Sequence, residues 1–184
     1  MVTVKLMGGL GNQTFQYAAG RSLALARGVP LKLDLSWFEH QELRTYRLHH
    51  FNVSAEIATR NDVAAIVGGS DRASRIARFL WRIKPYYRRP WFRQRYPGFD
   101  PNILRVPDKV YLEGYWQSER YFEDVESVIQ RDLTLSQSPS AETSAVAELA
   151  VNSQSISLHI RRQDYIDDPV TSQVHGACSE DYYL

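Results

Sequence analysis

The sequence predicts an α/β fold in which a Rossmann-like parallel sheet is flanked by helices. A β-rich segment over residues 2–7 runs directly into a glycine turn at residues 8–11, after which small and apolar residues recur with the period of a helix. Gly28 stands where a glycine commonly ends a helix, and residues 31–35 then alternate as a second strand. A strand, turn, helix and strand in this order form a βαβ unit, whose two strands are parallel.

The rest of the chain contains further segments with helical or strand patterns, and the prolines that follow Pro85 predict irregular structure as far as residue 101. The expected elements, in chain order, are a helix through Ile76 that ends before Pro85, a strand over residues 110–115, a helix over 122–133 with Ser118 as its N-cap, a helix over 141–150 and a strand over 155–160.

Composition excludes several classes of protein. The chain has 184 residues, of which 43% are hydrophobic and 23% charged, so a disordered or fibrous protein is not expected. The net charge of +1 gives no overall argument for a nucleic-acid partner. The sequence shows neither a signal peptide nor an apolar run of the roughly 20 residues that a membrane span needs. A single cysteine, Cys178, excludes an intrachain disulfide framework. These features predict a cytoplasmic protein.

The glycine turn is a candidate anion site. Glycines let a ligand approach the backbone, and the N-terminus of the following helix offers free N–H groups and a positive dipole end. Gly9 and Gly11 are the candidate residues. A dinucleotide-binding oxidoreductase is an alternative, because Asp34 lies at the spacing of a ribose-binding acid, although Thr14 replaces the third small residue of that fingerprint. A tight turn without a ligand is the third interpretation.

A second candidate site follows the strand over residues 155–160. Arg161 and Arg162 stand at its carboxyl end, where open α/β sheets bind ligands, and the guanidinium fork suits phosphate oxygens. The alternative is a surface pair of arginines that is neutralised by Asp164 or by the adjacent acids at residues 167–168. Adjacent acids such as those at residues 167–168 are more often solvated than bound to a metal, so no metal site is expected. Carboxylates beside Cys178 disfavour a thiolate, so Cys178 is not expected to be a nucleophile.

Basic and aromatic residues are concentrated over residues 71–100. Nine Arg or Lys stand against two Asp, which gives this segment a net charge of +7. Three interpretations are open: a solvated helix with an aromatic underside, which ranks first, a platform for single-stranded nucleic acid, or a surface for anionic lipid or a phosphate-linked glycan. We expect no nucleic-acid partner, and peripheral contact of residues 71–100 with the inner face of the membrane is kept as a hypothesis beside the solvated helix.

Five ordered blocks together resemble the α-1,2-fucosyltransferases of glycosyltransferase family 11. The fourth block, at residues 159–165, contains a His-x-Arg-Arg-x-Asp element that this family shares with other fucosyltransferases. Thr14 and Gln163 depart from the usual residues of the family, and neither departure removes a key group. The blocks are GGLGNQTFQYA at residues 8–18, LDLSWF at 33–38, GYWQSERYF at 114–122, HIRRQDY at 159–165 and HGACSEDYY at 175–183.

The resemblance implies the N-terminal half of a GT-B glycosyltransferase, over residues 1–152, followed by the start of a donor-binding half over residues 153–184. It implies that L-fucose passes from GDP-fucose to a galactoside hydroxyl, with inversion, in α-1,2 linkage and without a metal. GDP-fucose is a donor substrate, so no cofactor is implied, and the acceptor is a galactose-containing glycan that is expected to be lipid-linked. The family continues beyond the last block, so the chain is expected to be a truncated and inactive piece.

Roles for individual residues follow from the same resemblance. Arg161 and Arg162 would stabilise the charge that builds on the departing pyrophosphate, a task that falls to cationic side chains where no metal takes part. Asp164 would hold these arginines or accept the proton of the acceptor hydroxyl, and both roles stay open. The residues expected to bind donor or substrate are Gly9, Gly11, Asn12, Gln13 and His159. A non-catalytic fragment that binds nucleotide or glycan remains an alternative.

Overall fold

The computed structural model describes residues 1–69, 72–81 and 83–158, together with the single residues 173 and 182. The strands of this part of the chain are β1 (Val2–Lys5), β2 (Leu31–Asp34), β3 (Glu56–Ile57), β4 (Trp91–Arg93) and β5 (Val110–Glu113). Its α-helices are α1 (Leu10–Arg27), α2 (Arg60–Val67), α3 (Arg72–Trp81), α4 (Glu126–Asp132) and α5 (Ala141–Val151). Short 3₁₀ turns occupy several of the connections.

The strands form one parallel sheet in the order β3-β2-β1-β5-β4. Val2 of β1 pairs with Leu31 on one side and with Val110 on the other, so β1 is the central strand. Val2, Thr3 and Val4 are wholly buried, as expected for a parallel strand that is covered on both faces. The predicted α/β Rossmann-like fold is confirmed.

Helix α1 packs against β1 and β2 at unusually short range. A Cβ atom added to Gly20 would lie 2.3 Å from Cγ2 of Val4, so only a glycine allows this approach. The helix ends as the sequence predicts: Gly28 takes the left-handed conformation with φ of 61°, and its N–H bonds the free carbonyls of the last turn. The predicted βαβ unit is therefore confirmed.

Aromatic rings fill the core beside β4 and β5. The ring of Phe92 stacks on Trp116 with a centroid distance of 5.6 Å and on Tyr86 at 5.7 Å, and Trp116 meets Tyr121 edge to face. At the other end of the core, the Tyr17 hydroxyl of α1 donates to Asp132 of α4 at 2.7 Å. The ring contacts hold the loop after β5 against β4, and the bond between Tyr17 and Asp132 holds α4 against α1.

Three elements were not predicted: strand β3 (Glu56–Ile57), helix α2 and strand β4. Strand β4 lies where prolines predicted irregular structure, because Pro90 and Pro97 flank the strand instead of interrupting it. Helix α2 begins with a capping box, in which Thr59 and Asp62 each bond the backbone of the other. The hydrogen bonds from the Thr59 backbone and hydroxyl, with that from Lys32, lower the pKa of Asp62 to about 2.

Two predicted elements differ in the structure. The helix predicted over residues 122–133 starts at Glu126, because 3₁₀ turns occupy residues 119–125, and the side chain of Ser118 caps no helix. The strand predicted over residues 155–160 is absent from residues 155–158, where Ile156 and Leu158 are exposed and none of the described strands pairs with the segment. Residues 159 and 160 lie outside the described part of the chain.

The chain divides into two compact units, Met1–Ser138 and Pro139–Leu184. The first contains the sheet with α1 to α4. The second contains α5, whose N-terminus is capped by the Ser140 hydroxyl, which accepts a hydrogen bond from the Thr143 N–H at 3.2 Å. None of the described helices has the length and apolar character that spanning a bilayer requires.

The close packing of α1 on β1 can be tested with two substitutions in the same helix. Gly20→Ala should lower the free energy of unfolding by about 1–3 kcal/mol, because the new methyl group overlaps Val4. Gly11→Ala is the control, since no atom lies within 4 Å of its Cβ position, and it should leave stability unchanged or raise it by up to about 1 kcal/mol. Urea denaturation measures both, and equal effects of the two substitutions would contradict the packing described.

Candidate active site at the carboxyl edge of the sheet

The order of the strands reverses between β1 and β5, and ligands of open α/β sheets bind outside the carboxyl ends of the strands at such a point. Two loops meet there. The turn at residues 8–11 leaves β1, and the loop at residues 114–117 leaves β5. The amide of Gln117 donates to Oδ1 of Asn12 at 2.8 Å, which joins the two loops across the reversal.

The strand-to-helix turn depends on Gly8. Its φ is +79°, a left-handed conformation that favours glycine, and a Cβ atom there would lie 2.5 Å from Nδ2 of Asn12. Gly9 and Gly11 differ, because no atom lies within 4 Å of the Cβ position of either. Gly9 is the N-cap of α1 without a side-chain cap, and the first turn of α1 has no acidic residue. The helix N-terminus therefore presents its positive end to open space beside Gly9 and Gly11.

Asn12 and Gln13 have different surroundings although both were predicted to bind sugar or phosphate. Gln13 is fully buried: its Nε2 donates to the carbonyls of Gly8 at 3.1 Å and Thr45 at 2.9 Å, and its Oε1 accepts from the Arg47 N–H at 2.9 Å. Every contact described for this amide is thus to the protein's own backbone. Asn12 is partly exposed and bonds Gln117 at the surface, so Asn12 is placed to meet a ligand.

The loop after β5 is equally constrained. A Cβ atom on Gly114 would lie 2.5 Å from Cβ of Gln94, whose Oε1 accepts from the N–H groups of Tyr115 at 2.8 Å and Trp116 at 3.1 Å. Trp116 has a φ of 55°, which is rare for a residue with a side chain and costs about 1–3 kcal/mol. Its buried Nε1 has no hydrogen-bond partner among the described residues. Such strain is concentrated at functional sites more often than elsewhere.

A charged cluster surrounds the end of β5. Glu113 accepts hydrogen bonds from Lys5 at 2.9 Å and Trp91 at 2.9 Å, and it pairs with Arg93 at 2.8 Å. Burial alone would raise the pKa of the Glu113 carboxyl, but the bond and charge of Lys5, the charge of Arg93 and the bond from Trp91 together hold it below its usual value. Glu113 is therefore a fixed anion at neutral pH.

A cleft of about 530 Å³ opens beside this cluster. It lies between the carboxyl ends of β1, β5 and β4 and is lined by Arg93, Arg95 and Glu113 together with aromatic rings. The Arg95 guanidinium lies 4.0 Å from the centroid of the Tyr86 ring, and that of Arg93 lies 5.0 Å from the Trp91 ring. Stacked guanidinium groups at a cleft suit a polar or anionic ligand.

A wider cleft, of about 1010 Å³, lies on the other side of β1, at the carboxyl ends of β2 and β3. Trp37, Phe38 and Tyr46 line it with several polar residues. Asp34 also lies at this edge, but it is buried, and its two oxygens accept from the Ser36 N–H at 2.9 Å and the Tyr111 hydroxyl at 2.5 Å. An acid engaged in this way is poorly placed to bind a ribose, which removes the main support for the oxidoreductase alternative.

The structure brings some of the predicted site residues together and leaves others outside the described chain. Gly9, Gly11, Asn12 and Gln13 lie at the carboxyl edge, whereas the residues outside the described part are His159, Arg161, Arg162, Asp164, Gln163, Cys178 and the acids at 167–168. Within the described residues, no three His, Cys, Asp or Glu side chains are grouped to hold a metal ion.

Two residues of this edge were not singled out from the sequence. Glu113 lies inside the strand predicted over residues 110–115, whereas the structure ends β5 at Glu113. A charged residue at the carboxyl end of a parallel strand is a signal for the ligand-binding edge of the sheet. Gln94 carried no such signal, because the strand that positions it was not predicted. Its role depends on contacts with Tyr115 and Trp116, which are 21 and 22 residues away in sequence.

Comparison with known proteins identifies the family. The model for glycosyl transferase family 11 matches residues 71–184, which is more than half of the chain. The chain belongs to glycosyl transferase family 11. Two Escherichia coli proteins are similar to this chain. One is an alpha-1,2-colitosyltransferase, which is 27% identical over the whole chain. The other is the O-antigen biosynthesis glycosyltransferase WbnK, which is 28% identical over 97% of the chain.

The chain spans 62% and 64% of the lengths of these two relatives. The matches with both relatives include the glycine turn at residues 8–11, which lies outside the residues that the family model matches. No solved structure matches this chain.

The charged cluster predicts a specific response to acid. Because the pKa of Glu113 is lower in the folded protein than in the unfolded chain, its contribution to stability is present above the ordinary value of 4.5 and is lost as the pH falls through the folded value. Glu113→Gln should therefore lower Tm at neutral pH and flatten its fall as the pH drops below 4.5.

Thermal melts at a series of pH values measure this slope. Glu42→Gln, at an exposed position outside the cluster, is the control and should keep the slope of the wild-type protein. An unchanged slope for Glu113→Gln would show that the cluster does not stabilise the folded state.

Proposed function

We propose that the protein is an α-1,2-fucosyltransferase, which transfers L-fucose from GDP-fucose to a galactoside hydroxyl of a glycan acceptor with inversion and without a metal. The bond between Asn12 and Gln117 is the observation that carries this proposal. It joins the turn and the loop that contain two of the blocks shared with fucosyltransferases, and it does so at the point of the sheet where a ligand is expected.

The glycine turn supports a phosphate-containing donor. The uncapped N-terminus of the 18-residue helix α1 faces open space, and neither Gly9 nor Gly11 has a side chain that would keep a phosphate from the backbone. Backbone N–H groups and the helix dipole together stabilise a phosphate at such a position. Asn12, the partly exposed side chain beside the turn, would hydrogen-bond the sugar or phosphate.

In the proposed reaction, the acceptor hydroxyl oxygen attacks the anomeric carbon of fucose while the bond from that carbon to the β-phosphate oxygen breaks. GDP leaves with the bonding electrons, and the hydroxyl proton passes to a base. Negative charge therefore builds on the pyrophosphate. The roles proposed for Arg161 and Arg162 are to stabilise that charge, with His159 and Asp164 positioning them.

The wide cleft beside β2 is suited to the acceptor. Its lining combines the rings of Trp37, Phe38 and Tyr46 with the polar residues Glu39 and His40. Ligand sites commonly pair apolar and aromatic walls with a few polar groups that fix orientation, and a galactoside has both an apolar ring face and hydroxyl groups. A galactose-containing glycan would thus approach the reaction from the β2 side of the glycine turn.

The similarity to an alpha-1,2-colitosyltransferase makes the donor sugar the first property to test. Colitose is fucose without its 3-hydroxyl group, so a single oxygen separates the donor of a fucosyltransferase from that of a colitosyltransferase. Release of GDP should be measured in the intact enzyme with GDP-fucose and with GDP-colitose. A site that hydrogen-bonds the 3-hydroxyl should favour GDP-fucose by about 10⁴ in kcat/KM. A preference for GDP-colitose would overturn the fucosyl assignment and leave the family unchanged.

The proposed arginines can be tested in the same enzyme. Arg161→Ala and Arg162→Ala should each lower kcat by roughly 10²–10³, because each removes a fixed donor at the site where charge builds. Affinity for GDP should fall less than kcat, since the charge is largest in the transition state.

Arg131→Ala is the matched control, because Arg131 is exposed on α4, outside both clefts, and it should leave kcat unchanged. Kinetics with saturating GDP-fucose and a melting curve for each variant separate catalysis from folding. Wild-type kcat in both variants would mean that Arg161 and Arg162 are an ordinary surface pair.

A further inference from the structure

Helix α3 presents an apolar face that the described part of the protein leaves uncovered. The side chains of Ile76, Phe79, Leu80 and Ile83 are 53%, 64%, 52% and 79% exposed. Their spacing of three and four residues places them on one side of a helix, which continues into a turn closed by the bond from the Ile83 N–H to the Leu80 carbonyl. Large apolar side chains grouped in this way mark an interaction surface.

The surroundings of this face are strongly cationic. Residues 72–99 contain nine Arg or Lys and no Asp or Glu, although the whole chain has a net charge of only +1. Arg75, Lys84 and Arg88 are exposed. An apolar face with this excess of positive charge is typical of a helix that lies in a membrane interface.

A basic hollow of about 540 Å³ adjoins the end of the apolar face at Ile83. Lys84, Arg88 and Arg105 line it with two prolines, and no carboxylate is among its lining residues. The Arg105 guanidinium lies 5.7 Å from the centroid of the Tyr87 ring, which helps to hold this cation at the hollow. Three cations around an open depression suit a phosphate group.

We propose that α3 and the basic hollow dock on an anionic lipid surface. The four apolar side chains would enter the boundary between head groups and acyl chains, while Lys84, Arg88 and Arg105 would pair with lipid phosphates. At ten residues, α3 is about 15 Å long, half of what a bilayer span needs, so it lies along the surface.

Lipid fits this surface better than nucleic acid does. A single-stranded nucleic acid binds on free aromatic faces, but two rings beside the basic hollow are engaged: Tyr86 stacks on Phe92 and contacts Arg95, and Tyr87 packs against Tyr86 and Arg105. The uncovered face of α3 is mainly aliphatic, and aliphatic side chains offer a nucleic acid no stacking partner.

Vesicle sedimentation of the 184-residue chain tests the proposal. The chain should bind vesicles of phosphatidylcholine mixed with phosphatidylglycerol, bind phosphatidylcholine alone much more weakly, and lose binding as salt is raised. Phe79→Ser with Leu80→Ser should lower the partition coefficient at least tenfold. Lys84→Gln with Arg88→Gln should lower it by about fivefold per charge.

Leu43→Ser is the matched control, because Leu43 is also highly exposed but lies outside α3, and it should bind vesicles as the wild type does. Circular dichroism and melting curves verify that each variant folds. Equal binding to neutral and anionic vesicles, binding to neither, or an equal loss in Leu43→Ser would overturn the proposal. Self-association without lipid that Phe79→Ser with Leu80→Ser abolishes would also overturn it, because a second copy would then cover the face.

Discussion

The carboxyl edge of the sheet depends on one buried amide, that of Gln13. From the first turn of α1 it bonds the backbone of the turn after β1, at Gly8, and of the loop after β2, at Thr45 and Arg47. Without it three backbone groups would lose their partners, at about 1–3 kcal/mol for each group that stays buried. The side chain of Gln13 therefore ties the glycine turn to the loop that borders the wider cleft.

The other half of the edge is fixed in the same manner, by a side-chain amide that bonds the backbone of a neighbouring loop. Gln94 holds the loop after β5 through two backbone N–H groups, and the lack of a side chain on Gly114 allows this approach. The contact between Asn12 and Gln117 then joins two loops that are each held by a side-chain amide, Gln13 for one and Gln94 for the other. Groups that are positioned before a ligand arrives need no reorganisation when charge develops on it, which is the property that catalysis of glycosyl transfer requires.

The sequence was informative where the structure depends on local contacts. Helix α1 and its end at Gly28 follow from apolar period and glycine position, and the parallel pairing of β1 with β2 follows from their order. Contacts between distant segments could not be predicted: the sequence predicts Gln13 as a ligand-binding amide, and nothing near it in sequence shows that the structure pairs it with the backbone of Thr45 and Arg47. Strand β4 was missed since its pairing with β5 outweighs the local effect of the flanking prolines.

The central claim is that the turn after β1 and the loop after β5 form one donor site, and amide chemical shifts measured during titration with GDP-fucose test it most directly. The account predicts shifts that saturate together at the N–H groups of Leu10, Gly11 and Asn12 and at residues 114–117. The side-chain amide of Gln13, which is engaged with the backbone, should move little. Saturable shifts confined to other parts of the sheet, with both loops unaffected, would contradict the claim.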